Sequence, residues 1–336
     1  MSSGHYIIPV FIPDLACPQK CVFCNQKNIS GKIKIPDSND VTEIVEKHLS
    51  TIQAGSHIEI GFFGGNFTGA GKALQKDLLS TAEKFIRAGS VESIRISTRP
   101  DYIDERILDF LKTFPVSTIE LGAQSFDDEV LALSGRGHNA GTIVKASDLI
   151  NQFGFKLGLQ MMVGLPGDTK EKSIQTAKKI ISSGAESTRI YPVIVIKNTP
   201  LEKLYSENKY TALSLEDAIM QVKEVYKILD ESGIHILRVG LHPSEGLINK
   251  EIYVAGPFHV SFRELVLTEI WKEILQPLLR QPIKKRLVVA VPPAQLNYAI
   301  GYNAANKKML QKHYGKVIFV TDPILDGRNY HADCCR

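Results

Sequence analysis

Three cysteines near the N-terminus have the type and spacing that suit metal chemistry. Cys17, Cys21 and Cys24 form a C-x3-C-x2-C pattern directly after an apolar run, Tyr6 to Ile12, and the two other cysteines stand near the C-terminus. Three thiolates can hold three irons of a cubane 4Fe–4S cluster and leave the fourth iron open to another ligand. The pattern therefore predicts an iron–sulfur site with one open coordination position, at the end of a strand.

Two other metal sites fit these cysteines less well and stay open as alternatives. A structural zinc site needs four ligands, usually in two separated pairs; the chain has no second C-x2-C, although His5 could be a fourth ligand. A closed, purely electron-transferring cluster would borrow a distant fourth cysteine, Cys334 or Cys335. A disulfide framework is not expected, because a chain of 336 residues can bury an ample core unaided.

The composition is that of an ordinary globular protein, with 43% hydrophobic and 23% charged residues. No apolar run approaches the roughly 18 residues of a membrane-spanning helix. The N-terminal MSSGHYIIPVF lacks a charged region ahead of its apolar stretch and indicates a strand, not a signal peptide. An oxygen-sensitive cluster on reduced thiols favours the cytoplasm.

The positive charge is concentrated in the C-terminal quarter. Residues 250–336 carry 13 Lys/Arg against 7 Asp/Glu, a net charge of +6, which leaves −2 on the first 249 residues. Such an excess is compatible with a merely solvated face. It also predicts a surface that meets a polyanion.

Short apolar runs alternate with amphipathic stretches from residue 6 to about 238. This order favours parallel strands joined by crossover helices. Six such units, without a G-x-G-x-x-G fingerprint, favour a partial (β/α)6 TIM-like barrel of the α/β class over a doubly wound sheet. The predicted strands are 6–11, 57–62, 92–97, 117–121, 156–162 and 187–195, and the predicted helices are 38–54, 70–89, 102–112, 139–153, 168–183 and 214–232.

We predict a domain boundary near residue 248. Residues 1–248 would form the barrel core, and 249–336 a small basic α/β domain with a cysteine-containing tail. A Gly/Pro-rich passage at 243–257 indicates a linker or extended loop. After it, helices around 260–280 and 302–313 would pack with strands at 286–291 and 317–321.

Glycine-rich and polar motifs follow the predicted strands, where a parallel barrel gathers its functional groups. The adjacent glycines Gly64 and Gly65 let the backbone approach a ligand closely. Further candidates at the strand ends are Asn66, Ser97, Arg99, Gln124, Arg136, His138, Gln160, Met162, Lys197 and Thr199. An apolar lining could come from Phe62, Phe63, Met161 and Met162.

Several motifs, in order, resemble one superfamily of enzymes. The resemblance is to the radical S-adenosylmethionine (SAM) core of the elongator catalytic subunit over roughly residues 5–240, and it rests on CPQKCVFC, GFFGGNFTG, STRPDYI, ELGAQSFDDEVL…RGH, GLPGD and RIYPVIVIKNTPLEKLY. The segments ELGAQSFDDEVL and GLPGD also resemble oxygen-independent coproporphyrinogen oxidases. The spacing of the three cysteines is itself a radical SAM signature.

The resemblance implies that the three cysteines hold a 4Fe–4S cluster and that SAM binds its open iron. Gly64 and Gly65 would bind the methionine end of SAM. Electrons from a flavodoxin or ferredoxin would then drive cleavage of SAM to a 5′-deoxyadenosyl radical. The ribose and adenine would lie near Gln124, Arg136 and the strand end Gln160–Met162, with Asn66, Ser97 and Arg99 as further contacts.

Two departures limit what the resemblance implies. Coproporphyrinogen oxidases have an acidic residue where Gln160 stands, so the contact with the ribose would differ. The sequence also lacks the acetyltransferase domain of elongator-type enzymes, so their acyl chemistry on tRNA is not carried over.

The tail HADCCR holds the other two thiols and has two open interpretations. One is a disordered terminus whose thiols survive in a reducing cell. The other is a mobile arm that returns to the active site, as in radical SAM RNA methyltransferases, with His331 tuning the thiol pKa. The second interpretation makes Cys334 and Cys335 candidate catalytic residues.

The favoured function is a radical SAM enzyme that modifies RNA, either tRNA or rRNA. The elongator resemblance and the basic C-terminal segment support this substrate, and phosphate contacts are expected from Lys284, Lys285, Arg286, Lys307 and Lys308. The same chemistry on a small molecule or a tetrapyrrole is one alternative. A non-catalytic carrier of a cluster or haem is another.

Overall fold

A curled, seven-stranded parallel sheet forms the body of the molecule. The computed structural model describes residues 4–12, 17, 21–25, 34–281 and 285–335, with the backbone alone at 334–335. Strand order is β1-β2-β3-β4-β5-β6-β8, and every neighbouring pair is parallel. In chain order these elements are β1 (His5–Ile12), α1 (Ser38–Leu49), β2 (His57–Gly64), α2 (Lys72–Arg87), β3 (Ser93–Thr98), α3 (Glu105–Lys112), β4 (Val116–Gln124), α4 (Asp128–Leu133), α5 (Ala140–Gln152), β5 (Lys156–Val163), α6 (Lys170–Ser182), β6 (Ser187–Pro192), β7 (Val195–Ile196), α7 (Pro200–Ser206), α8 (Leu215–Glu231) and β8 (His235–Val239).

The predicted partial barrel is confirmed, together with its six strands and the helices between them. Two details differ. The predicted strand 187–195 divides into β6 and the short β7, and β8 is a seventh strand that the sequence pattern did not reveal. The segment HILRV is short and follows soon after a helix, so no local pattern identifies it as a strand. Its pairing with β6 shows that it is one.

Side chains alternate between the two faces of the sheet, as the period of a strand requires. Apolar residues on the convex face pack under the helices as the main core, for example Ile8, Ile60, Ile94, Leu121 and Leu159. Phe62 and Met161 lie in this core and are fully buried. Their predicted place in the apolar lining is therefore wrong. Their side chains lie on the convex face, whereas Phe63 and Met162 lie on the concave face and line a cavity there.

The sheet curls until its first and last strands approach each other. The ring centroids of His5 on β1 and His235 on β8 lie 6.5 Å apart. The concave face therefore encloses a space, which we call the lumen.

Charged and polar side chains cross the concave face as a continuous chain of contacts. Arg95 binds Glu59 through Nη2 at 2.8 Å and Glu120 through Nη1 at 3.1 Å. Arg189 Nε donates to Glu120 at 2.8 Å, and Gln160 Nε2 donates to the same carboxylate at 3.0 Å. On the other side, His5 Nε2 lies 2.9 Å from Glu59. We call these six residues, one from each of β1 to β6, the lumen network.

A second, three-stranded sheet lies at the C-terminus, in the order β11-β10-β12. Its small core is continuous with the main core through one helix, because Phe262 and Val266 pack in the main core while Trp271 and Leu275 pack in the second. The elements are α9 (Glu245–Ile248), β9 (Tyr253–Ala255), α10 (Phe262–Leu275), β10 (Arg286–Val291), α11 (Leu296–Ile300), α12 (Ala305–Gln311), β11 (Lys316–Thr321) and β12 (His331–Cys335). The boundary at 248 stays a prediction.

The tail is a strand and not an irregular end. β12 pairs antiparallel with β10, with Cys334 opposite Leu287 and Cys335 opposite Arg286. The predicted linker also carries structure, since β9 pairs antiparallel with β7. In the described part of the chain, no helix has the length and apolar character to cross a membrane.

Neutralising Glu120 should destabilise the fold. The Glu120→Gln variant removes the buried carboxylate that pairs with Arg95 and Arg189, and breaking a buried ion pair costs about 3 kcal/mol of the free energy of unfolding. Burial raises the pKa of Glu120, but the charges of Arg189 and Arg95 and their hydrogen bonds outweigh it and hold the pKa below its ordinary range. Its stabilising contribution is therefore present above about pH 4.3, the unfolded value, and is lost as the pH falls through the folded value. Chemical denaturation between pH 3 and 7 measures both effects.

Glu83→Gln is the matched control. Glu83 pairs with Arg87 on the surface of α2, and an exposed pair of this kind contributes about 0.3–0.5 kcal/mol. Equal losses of stability in the two variants would contradict a structural role for the lumen network.

Candidate active site

A cavity of about 310 Å³ lies at the carboxyl ends of the strands and holds the three cysteines. It therefore brings together residues that are far apart in the sequence, as the topology of a parallel sheet requires. Its lining includes ten of the predicted site residues: Cys17, Cys21, Cys24, Gly64, Gly65, Ser97, Arg99, Gln124, Arg136 and Gln160.

The donor set of this cavity suits an iron–sulfur cluster. Among the described residues, its lining contains three thiols and no carboxylate or imidazole, and thiolates are the ligands that such clusters use. In the described ranges, no three His, Cys, Asp or Glu side chains form a group that could hold a single metal ion.

Arg136 lies behind the cysteines and is 5% exposed. Its Nη1 donates to Cys21 Sγ at 3.2 Å, and its Nη2 donates to the carbonyl of Gly122 at the end of β4. This contact sets a positive charge directly beside the sulfur of Cys21. The turn after α4 thus delivers a positive charge to the cysteine-lined cavity.

Arg99 is the second buried guanidinium of the site. It forms a two-pronged ion pair with Asp101, at 2.9 Å for each contact, and its Nη2 also donates to the carbonyl of Arg136 at 2.5 Å. Burial lowers the pKa of Arg99, but the hydrogen bond and charge of Asp101 and the nearby Cys21 and Cys17 raise it overall. The loop after β3 is therefore fixed to the turn that carries Arg136.

Gly64 stands where β2 ends, in a backbone conformation that an L side chain rarely adopts, with φ of +112°. A Cβ at this position would lie 2.5 Å from the carbonyl oxygen of Ile12. The N–H of Gly65 donates to that same oxygen at 2.8 Å. A glycine is required here because the loop closes tightly on the end of β1 while facing the cavity.

Gln124 ends β4 with a positive φ of +70°, which is uncommon for a residue other than glycine. The register between β4 and β5 shifts between Gly122 and Gln124. Strained residues and bulges of this kind concentrate at functional sites, where they redirect a side chain. Here the side chain lines the cavity.

Three buried polar atoms around the cavity find no hydrogen-bond partner in the described part of the chain. They are Arg99 Nη1, Arg136 Nε and Gln124 Oε1. Since buried polar groups almost always have a partner, atoms left without one indicate where a polar ligand completes the site. Two donors and one acceptor fit a ligand that carries carboxylate and hydroxyl groups, as SAM does.

Asn66 supports the site without lining the cavity. It is 1% exposed, and its Oδ1 accepts from Thr98 Oγ1 at 2.5 Å and from the N–H of Arg99 at 3.2 Å. Its role is to join the loops after β2 and β3. Gln160 does line the cavity, while its Nε2 donates to Ser97 Oγ at 3.2 Å and to Glu120.

A larger cavity of about 650 Å³ fills the lumen and meets the first one. Met162 lines it, with the half-buried rings of Phe11, Phe63 and Phe23. The two cavities share the lining residues Phe23, Cys24, Gly64, Ser97, Gln124 and Gln160. A molecule in the lumen would therefore lie next to a cofactor held by the cysteines.

Three further predicted strand-end residues do not line either cavity. Thr199 caps α7, where its Oγ1 accepts from the N–H of Glu202 at 3.2 Å, and Lys197 is exposed. His138 is half-buried, and burial together with the charge of Arg136 lowers its pKa to about 4. The residue between the first two, Asn198, lines the first cavity instead, with a φ of +62°. The turn sequence KNTP was a readable signal for it, because asparagine tolerates positive φ.

Other candidates lie elsewhere. Cys334 and Cys335 belong to β12, and no residue of the C-terminal sheet in the described chain lines either cavity. Lys284 lies outside the described residues. Sequence reasoning also missed Arg189, Arg238 and His242 in the lumen, although a charged residue inside an apolar strand is itself a signal.

Relatives in several organisms resemble this chain over part of their length. The chain is 26% identical over 243 residues to a tRNA uridine(34) acetyltransferase of Dehalococcoides mccartyi, a match that covers 62% of this chain and 53% of that protein. It is 29% identical over 180 residues to human Elongator complex protein 3, which covers 53% of this chain and 32% of the human protein. The chain thus spans about half of the first relative and a third of the second.

A solved structure shares the fold. The archaeal Elp3 of Methanocaldococcus infernus aligns with a TM-score of 0.65 at 21% identity, over 81% of this chain and 64% of that one. The sequence models of two families also match: the radical SAM superfamily at residues 12–180 and the radical SAM C-terminal domain at residues 185–272. These matches confirm the predicted resemblance, and the chain belongs to the radical SAM superfamily.

Proposed function

We propose that this protein is a radical SAM enzyme that modifies RNA, either tRNA or rRNA. The observation that carries the proposal is that two cavities meet. The first is lined by three cysteines and by polar atoms that have no hydrogen-bond partner in the described chain, and the second is the lumen, which is wide enough for a substrate. A reactive group generated in the first cavity would be separated from a substrate in the second by no intervening layer of protein.

Cys17, Cys21 and Cys24 would hold a 4Fe–4S cluster, and SAM would complete it. When bound, this pair supplies a 5′-deoxyadenosyl radical after one-electron reduction by a flavodoxin or ferredoxin. Gly64 and Gly65 would receive the methionine end of SAM. SAM would supply hydrogen-bond partners for the unpaired atoms of Arg99, Gln124 and Arg136. Ser97, Gln160 and Met162 would contact SAM on the side that faces the lumen.

The protein's own residues would control the surroundings of this chemistry. Arg136 would place its positive charge against a cluster held by Cys21, since its Nη1 lies 3.2 Å from Sγ. Phe63 and Met162 would supply apolar walls that limit the access of water to a substrate in the lumen. Asn66 fixes the loop that carries Gly64 and Gly65.

Two observations support RNA as the substrate. The Dehalococcoides relative is named for an action on tRNA uridine. In addition, a group of exposed basic residues stands at one end of the C-terminal sheet, where Arg286 of β10 pairs with Lys316 of β11 and Lys285 precedes them. We call Lys285, Arg286 and Lys316 the basic edge; within the described chain none of them forms an ion pair.

Replacing any one of the three clustered cysteines by alanine should abolish cluster loading. Cys17→Ala, Cys21→Ala and Cys24→Ala each remove one of three ligands, so reconstituted protein should lose its iron and its visible absorption. With dithionite and SAM, the wild type should then yield 5′-deoxyadenosine and these three variants should not. The protein is prepared anaerobically, with iron content and nucleoside measured on the same samples.

Cys334→Ala and Cys335→Ala are the comparison variants. If the tail leaves β12 and acts at the active site as a mobile arm, these variants should keep full iron content and 5′-deoxyadenosine formation yet lose formation of modified RNA; unchanged RNA modification would contradict a catalytic role. Loss of iron in either one would support the closed four-cysteine cluster instead.

Gly64→Ala should weaken SAM binding while the cluster remains. The Cβ would force the loop away from Ile12, and the affinity for SAM should fall by about tenfold or more, the equivalent of removing at least one charged hydrogen bond. Equilibrium dialysis with labelled SAM measures it. Gly71→Ala is the control, because a Cβ there meets nothing within 4 Å; equal SAM affinity in the two variants would count against this binding site.

Neutralising the basic edge should weaken RNA binding and its dependence on salt. In the combined variant Lys285→Gln, Arg286→Gln, Lys316→Gln, the slope of log affinity against log salt should fall by about 1 for each phosphate that the variant no longer binds. Filter binding of bulk tRNA between 50 and 300 mM salt measures the slope.

A variant with the same change of charge is the control. Lys145→Gln, Lys178→Gln, Lys179→Gln lie on exposed positions of α5 and α6 and should leave the slope nearly unchanged. Salt-independent binding of RNA by the wild type, or none, would refute RNA as the substrate.

A further inference from the structure

Two arginines stand side by side on the wall of the lumen. The register between β6 and β8 shifts at Thr188/Arg189, so that Arg189 pairs with Arg238 and Leu237 becomes the extra residue of β8. Such a bulge redirects the side chain that follows it. Both arginines, and Leu237 between the paired positions, line the lumen cavity.

The two guanidiniums differ in the groups that they contact. Arg189 makes two contacts with Glu120, at 2.8 and 3.1 Å, and lies 4.8 Å from the ring centroid of Phe63. Arg238 donates through Nε to the carbonyl of Gly240 at 3.2 Å and through Nη2 to His242 Nδ1 at 3.3 Å. In the described part of the chain, no carboxylate pairs with Arg238.

The positive charge of Arg238 is not balanced by a negative charge nearby in the described chain. The lumen network balances the carboxylates of Glu59 and Glu120 with the guanidiniums of Arg95 and Arg189. The described lining of the lumen cavity contains no Asp or Glu. Burial lowers the pKa of Arg238, yet arginine remains charged in proteins. A half-buried charge that lacks a counterion creates a potential that attracts an anion.

His242 supplies a second donor beside this cation. Burial and the charge of Arg238 lower its pKa, so the ring is neutral near pH 7. A guanidinium can only donate, so His242 Nδ1 accepts and its proton is on Nε2. The ring therefore presents an N–H of its own, next to the guanidinium.

We propose that Arg238 and His242 form an anion subsite in the lumen, which binds a phosphate or carboxylate group of the substrate and so directs the rest of the substrate toward the cysteine-lined cavity. The choice of phosphate rests on the proposed function. It is supported by the half-buried rings of Phe11 and Phe63, which line the same cavity and could pack against a base.

The subsite is tested by binding of uridine 5′-monophosphate, uridine and malonate to the reconstituted full-length protein, measured by calorimetry. The monophosphate should bind about tenfold or more tightly than uridine, which differs only in the charged group. Malonate tests a carboxylate as the anion. If malonate binds and the monophosphate does not, the subsite stands and its occupant is a carboxylate.

Arg238→Gln should remove the preference for the monophosphate over uridine. Arg238→Lys keeps the charge without the planar fork and should retain an intermediate preference. Arg106→Gln, an exposed position on α3, is the charge-matched control and should leave the preference unchanged. Thermal melting of each variant confirms that it folds.

A wild type that binds none of the anions, or a preference that survives Arg238→Gln, overturns the subsite. The outcome for the proposed function is separate. If RNA is modified with the same KM by Arg238→Gln as by the wild type, the function stands and the subsite fails. If anions bind at Arg238 but no RNA is bound or modified, the subsite stands and the RNA function fails.

Discussion

The need to pair charges on the concave face of a curled sheet governs this structure. Six successive strands each contribute one polar side chain, and each carboxylate of the lumen network meets at least one guanidinium. Because an unpaired buried charge is costly, the register of β2 through β6 is fixed by this pairing as much as by the apolar convex face. The lumen cavity lies beside this network: three of its members, His5, Gln160 and Arg189, line the cavity among largely apolar residues.

The lumen cavity adjoins the cysteine-lined cavity. Gln160 belongs to both spaces: its amide reaches Glu120 below and Ser97 toward the cysteines. At the rim, loops from different strands are tied together, with Arg136 contacting Cys21 across 115 positions of sequence. The strain at Gly64 and Gln124 is confined to this rim, where the backbone turns toward the place of a ligand.

The C-terminal part extends the barrel and does not stand apart from it. α10 contributes residues to both cores, so the second sheet is packed onto the barrel through a shared helix. This arrangement attaches the basic edge, which includes Arg286 of β10 and Lys316 of β11, to the barrel. It also gives the last two cysteines a place in a strand, where the sequence alone suggested an irregular end.

Much of the protein could be predicted from the sequence because the signals are local. The spacing of Cys17, Cys21 and Cys24, the alternation of strands and helices, and the glycines after β2 each depend on neighbouring residues alone. Contacts between distant strands could not be predicted in this way. Only the tertiary structure decided that Phe63 faces the lumen while Phe62 does not, that Asn66 supports a loop, and that the bulge in β8 turns Arg238 inward without a carboxylate. Register, curvature and charge pairing arise between segments that are separated in sequence, so no local pattern carries them.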